Sequence, residues 1–128
     1  MILDSSVIVA YFNEGDTQFL EARALMNETP EWLILEPILF ETITVLQIRV
    51  GKTVAKKALH YLREDPKTKI LNTDQHDIAE AFRYFELQTG SLTLYDWLLV
   101  AASKRTGIIL KTFDQKLNRQ AGQLTVGG

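Results

Sequence analysis

No cysteine occurs among the 128 residues, which rules out disulfides and thiolate zinc sites at once. Histidine is nearly as scarce. His60 and His76 are too few for a histidine-based metal centre, and both read as surface residues. Long apolar runs are missing too, and no stretch approaches the roughly 18 residues that cross a bilayer. Met1 leads directly into a strand pattern, without the charged start and small-residue cleavage site of a secretory signal, so a cytoplasmic protein is expected. Low-complexity tracts, linkers and internal repeats are absent. A chain of this length, 46% hydrophobic, suits one domain over residues 1–128 with a real core.

What is present alternates. Short apolar segments at Ile2-Leu3, Trp32 to Leu35, Ile70-Leu71 and Ile108 to Leu110, with a weak terminal one at Leu124 to Val126, are separated by helical patterns. The helices predicted run over 5–12, 16–28, 37–50, 53–63, 74–88, 94–106 and 115–120, punctuated by Gly51, Pro66, Gly90 and Gly107. This βα rhythm implies an α/β fold, a parallel sheet covered by helices on both faces. Trp32, Phe40, Phe82, Phe85 and Trp97 have the spacing of core residues.

The net charge is only -2, but it is unevenly spread. Met1 to Glu41 carries Asp4, Glu14, Asp16, Glu21, Glu28, Glu31, Glu36 and Glu41 against Arg23 alone. From Arg49 to Lys69 the balance reverses: Arg49, Lys52, Lys56, Lys57, Arg63, Lys67 and Lys69 face only Glu64 and Asp65. Such a stretch can meet a phosphate backbone, with Lys52, Lys56 and Lys57 as candidates, or be a solvated helix face.

Four acids stand where acids are costly. Asp4 follows the first strand and Asp114 the strand ending at Leu110, so both fall on the carboxyl edge of the sheet, where open α/β folds bind ligands. Asp96 belongs to the first turn of its helix. Glu41 lies just over one turn into an apolar helix, with no lysine or arginine within a turn, and a half-buried carboxylate without a partner is expensive. Capping chemistry competes for the aspartates, since Asp is a preferred N-cap and Thr93-Leu94-Tyr95-Asp96 resembles a capping box. Taken together, oxygen ligands without cysteine suit Mg²⁺ or Mn²⁺, the ions that assist phosphate-ester hydrolysis. Other phosphate-handling α/β folds fit less well. A haloacid-dehalogenase-like phosphatase needs an acid where Ser6 stands, and a response-regulator receiver needs a proline where Thr112 follows Lys111.

In this order the motifs Asp4-Ser5-Ser6, Glu41 in its apolar helix, Asp96 followed by Ala101-Ala102 and Gly107, and Thr112-Phe113-Asp114 resemble the PIN-domain family. By size and layout the likeness is to the VapC-type toxins of toxin–antitoxin pairs. The resemblance implies a three-layer α/β/α fold with five mostly parallel strands in order 3-2-1-4-5. It also implies a Mg²⁺- or Mn²⁺-dependent endoribonuclease, with Asp4, Glu41, Asp96 and Asp114 as catalytic metal ligands and Ser6 and Thr112 as polar groups supporting them. RNA as substrate, a neutralising antitoxin and a homodimer follow from the same likeness. Many relatives carry a further acid after the fourth; Gln115, Lys116 and Asn118 stand here, so one-ion and two-ion arrangements both stay open. The alternative is a PIN-like binding module that kept the fold and lost catalysis.

Overall fold

The structure is a computed structural model that describes the backbone of residues 1–127 and the side chains of residues 1–122. Four strands are found among the described residues: β1 (Ile2–Leu3), β2 (Trp32–Leu35), β3 (Thr68–Leu71) and β4 (Leu110–Lys111). All pairings are parallel, in the order β3-β2-β1-β4. Seven helices connect them: α1 (Ser5–Phe12), α2 (Phe19–Glu28), α3 (Glu36–Arg49), α4 (Lys52–Glu64), α5 (Gln75–Leu87), α6 (Leu94–Thr106) and α7 (Gln115–Gly127). The predicted three-layer α/β/α architecture is therefore present. The fifth strand is not: Leu124 to Val126 continue α7. Its sequence signal was three residues long and lacked a turn to separate it from the preceding helix.

Parallel pairing needs helical crossovers, and right-handed crossovers decide which face each helix covers. The chain moves from β1 through β2 to β3 in one direction, with α1–α4 packing among themselves. It then returns past β1 to β4 through α5 and α6, against which α7 packs. The strand order thus reverses between β1 and β4, so the two loops that follow these strands open side by side.

The strands are short, and β1 and β2 are buried along their whole length while β3 lies at the more exposed edge. Ile2, Leu3, Trp32, Ile34 and Leu110 are all buried, joined by Ile8, Ile38, Leu99 and Leu117 from the helices. Such a core is continuous through the sheet, as a two-sided parallel sheet requires. Pro37 sits in the first turn of α3, where its missing N–H costs nothing. Gly107 closes α6 in the left-handed conformation at φ 72°, which glycine adopts without a Cβ clash.

Not every aromatic joins the core. Trp32 and Trp97 are buried, but Phe40, Phe82 and Phe85 are 70%, 52% and 51% exposed. On α5 two helical stripes compete, Ile78-Phe82-Phe85 and Asp77-Ala81-Tyr84, and the second is the one fully buried. It can be buried because Asp77 finds a partner: Arg105 Nε of α6 donates to Asp77 Oδ1 at 2.9 Å. A buried carboxylate so paired is tolerated, and the phenylalanines turn outward.

Candidate metal centre

Asp4 leaves the end of β1, where its backbone N–H still donates to the Lys111 carbonyl at 2.9 Å. It occupies the N-cap position of α1, yet its side chain makes no cap. Instead Oδ2 receives two hydroxyls, Ser6 Oγ at 2.8 Å and Thr112 Oγ1 at 2.7 Å. Each hydroxyl is in turn oriented by a backbone N–H: Phe113 N–H donates to Ser6 Oγ at 3.1 Å and Asp114 N–H to Thr112 Oγ1 at 2.9 Å. Because each hydroxyl proton is spent on Asp4, the network holds that carboxylate in one orientation and ties the β1–α1 loop to the β4–α7 loop. Ser6 and Thr112 thus stand where the sequence motifs placed them.

Glu41 is half-buried on α3, and the residue beside it that the sequence reading did not assign to the site is Ser5, whose hydroxyl favours the ionised carboxylate. The signal was there in Asp4-Ser5-Ser6: on a helix the two serines point in different directions, one toward Asp4 and one across to α3. Burial pushes the Glu41 carboxyl above its ordinary value of 4.5, and the Asp4 and Asp96 carboxylates push it further, against the pull of Ser5. Asp96 is also raised, first by burial and then by Asp4 and Asp114, with hydrogen bonds from Thr93 opposing. Four acids from four separate segments therefore feel one another at the carboxyl edge.

Capping and clustering coexist. Asp96 Oδ2 accepts the Thr93 N–H at 2.8 Å while Thr93 Oγ1 accepts the Asp96 N–H at 3.2 Å, a complete capping box. The exposed Asp114 uses Oδ1 to accept the N–H groups of Lys116 and Leu117 at 2.8 and 3.2 Å. In both residues the cap engages one carboxylate oxygen, and a carboxylate has a second.

No three of the four acids bring carboxylate oxygens within 4.8 Å of one another, an arrangement that mutual repulsion favours. The tightest trio of possible ligands among the described residues lies elsewhere: Asp74, His76 and Asp77 bring ligand atoms within 4.8 Å of one another. That trio is already spoken for. Asp74 caps α5 by accepting the His76 N–H, and Arg105 Nε lies 2.9 Å from Asp77 and 3.9 Å from Asp74. A guanidinium seated on two of the three acids leaves a cation little to gain there, whereas among the described residues no lysine or arginine forms an ion pair with Asp4, Glu41, Asp96 or Asp114. An all-oxygen donor set, partly desolvated and unneutralised, suits a hard divalent ion. Lys52, Lys56 and Lys57 lie exposed on α4, and His60 and His76 are exposed as expected.

No helix among the described residues is long and apolar enough to cross a membrane. No curated protein matches the chain. Among solved structures, VapC20 of Mycobacterium tuberculosis, described as a Sarcin-Ricin loop cleaving toxin, superposes with a TM-score of 0.85 at 21% identity, covering 93% of each chain. VapBC2 of Rickettsia felis, bound to a DNA fragment from their promoter, gives a TM-score of 0.67 at 15% identity, over 92% of this chain and 90% of that one. At such identities the likeness is one of fold. The family model of the PIN domain matches residues 1–123, a span that includes all four acids and the switch point between β1 and β4, and the chain belongs to the PIN-domain family.

Proposed function

We propose that the protein is a divalent-metal-dependent endoribonuclease of the VapC toxin type, with Asp4, Glu41, Asp96 and Asp114 holding Mg²⁺ or Mn²⁺. The observation that carries this reading is electrostatic. Burial raises the proton affinity of Glu41 on α3 and Asp96 on α6, and the neighbouring carboxylates, Asp4 beside both, raise it further at the switch point of the sheet, a costly arrangement unless a cation repays it. When bound, a divalent ion supplies a nucleophile at neutral pH and stabilises charge on the phosphoryl oxygens. The chain's own residues do the rest. Asp4, locked by Ser6 and Thr112, presents a fixed ligand; Asp96 and Asp114 offer the oxygens not used in capping. Glu41 is either the fourth ligand or, where it does not ligate, the base that accepts the proton of the attacking water.

The relatives support the substrate class and a partner. One is a toxin that cleaves the sarcin–ricin loop, and the other was solved as VapBC2 on promoter DNA. By analogy this chain would be neutralised by an antitoxin and act as a homodimer, and the exposed Lys52, Lys56 and Lys57 would meet RNA phosphates.

The test is single-turnover cleavage of a mixed RNA pool in Mn²⁺. Asp4→Asn is expected to slow it at least about 100-fold, the scale of losing a group that stabilises transition-state charge, and EDTA to abolish it. Cleavage by D4N at the parent rate would remove Asp4 from the site. A parent that binds RNA and Mn²⁺ without cleaving would favour the silent binding module.

A further inference from the structure

We propose that the groove between the α5–α6 loop and α7 is an RNA-backbone subsite, in which Arg119 and Lys116 hold a phosphate flanking the scissile one. The proposal rests on the ribonuclease reading and deepens it. Four acids at the reaction centre repel a polyanion, so productive binding requires positive charge close by, placed where it does not neutralise the ligands.

The groove meets that requirement. It encloses about 380 Å³ and is lined by Thr89, Ser91, Trp97, Lys116, Arg119 and Gln120 among others, two cations and no acid. Neither cation is neutralised. Lys116 Nζ donates to Ser91 Oγ at 3.0 Å, a neutral partner, and the Arg119 side chain forms no ion pair or hydrogen bond among the described residues. The contact to Ser91 joins the two walls at the solvent-exposed rim of the groove.

Each wall also leads straight to an acid of the centre. The backbone N–H of Lys116 donates to Asp114 Oδ1 at 2.8 Å. Two residues after Ser91, the Thr93 N–H donates to Asp96 Oδ2 at 2.8 Å. A strand entering the groove is therefore delivered to the face where Asp96 and Asp114 lie. The chemistry matches a phosphodiester: a guanidinium fork for two non-bridging oxygens, an ammonium point charge, and hydroxyls from Ser91 and Thr89. Because Asp114 already caps α7, the anion would be held by side chains and not by the helix N-terminus.

The test is the affinity of the full chain for a fluorescein-labelled single-stranded RNA, read by anisotropy over a range of salt, with cleavage followed separately. Lys116→Gln with Arg119→Gln should weaken binding on the order of tenfold for unrelated sequences. The double variant should also reduce the log–log salt slope by about 1.4, two contacts at roughly 0.7 each for a single strand. R119K should recover part of the loss. Mn²⁺ affinity by calorimetry should stay within about twofold of the parent, because no metal ligand is removed. A charge-matched control, R83Q with K104Q, should lose much less.

Parent affinity and slope in the double variant would overturn the subsite, as would an equal loss in the control, which would reduce the effect to net charge. Anisotropy needs no turnover, so an inactive parent that still loses RNA on K116Q/R119Q would keep the subsite and sink the nuclease reading, whereas an active parent indifferent to these changes would do the reverse.

Discussion

Ser5 and Ser6 are neighbours in sequence with different tasks. Ser6 fixes Asp4, and Ser5 moderates Glu41. Removing the Ser5 hydroxyl leaves burial and two carboxylates to raise Glu41 unopposed. If Glu41 must be ionised to accept a proton, Ser5→Ala is expected to move the acid limb of the pH–rate profile to higher pH while rates on the alkaline side change little; single-turnover cleavage across pH checks this, and an unmoved limb would assign it to another group. The raised carboxyls also set how metal-free stability responds to pH. Folded Glu41 and Asp96 keep their protons to higher pH than they do in the unfolded chain, where 4.5 and 3.8 are the ordinary values. Below those values the shift costs nothing. As pH rises through them toward the raised ones, the unfolded chain binds fewer protons than the folded one and stability falls; above the raised values the loss is complete. In EDTA the parent should thus melt higher at mildly acidic pH than at pH 7. Glu41→Gln should flatten that dependence and raise the melting temperature at pH 7 by roughly 2–4 °C, a modest effect because half-exposure screens part of the repulsion. Glu41 is the cleaner position for this test, since Asp96 and Asp114 also cap helices and their amides lose dipole stabilisation.

At the scale of elements, the helix ends carry much of the site. Three of the four acids occupy the start of a helix: Asp4 before α1, Asp96 in the first turn of α6 and Asp114 before α7. For Asp4 and Asp114 this follows from topology, because in a parallel sheet each strand-to-helix turn lies on the same edge, and α6, which leads back to β4, starts from that edge too. Capping and ligation are compatible there, and a caps-only account cannot explain Asp4, whose side chain caps nothing. α4 is the contrasting case, a helix whose inner residues Ala55, Ala58 and Leu62 are buried while Lys52, Lys56 and Lys57 face solvent. Charge reversal of Lys56 and Lys57 should weaken RNA binding similarly for all sequences and lower its salt slope if this face meets the backbone. A filter-binding series over salt decides it, and an unchanged slope would return α4 to the status of a solvated surface.

For the whole molecule, the proposed metal centre implies that the acid edge is stability spent on chemistry, which a bound ion would return. Mn²⁺ at about 100 times its dissociation constant should stabilise the parent by roughly 2.7 kcal/mol and Asp4→Asn by less at the same concentration. Melts with EDTA and with Mn²⁺ measure both. Equal stabilisation of parent and variant would place the ion elsewhere, with Asp74, His76 and Asp77 the next site to examine.

Composition and order alone determined a good deal. The alternation of apolar segments and helical patterns implied a parallel α/β sheet, and the boundaries of α1 and α6 agree with the residues predicted. The lack of cysteine and the isolation of Glu41 in an apolar helix pointed to carboxylates as the chemistry. These features are legible because hydrophobic period and residue type are local properties. Tertiary structure decided the rest, for reasons that are not local. Whether Phe82 or Ala81 faces inward depends on Arg105, 28 positions from Asp77. Asp4 is held by Thr112, 108 positions away. The groove beside the acids joins Ser91 to Lys116 across two helix termini. A pattern along one segment carries no information about which distant charge will come to neutralise it, and here that pairing decides which acids are spent on structure and which are left for a cation.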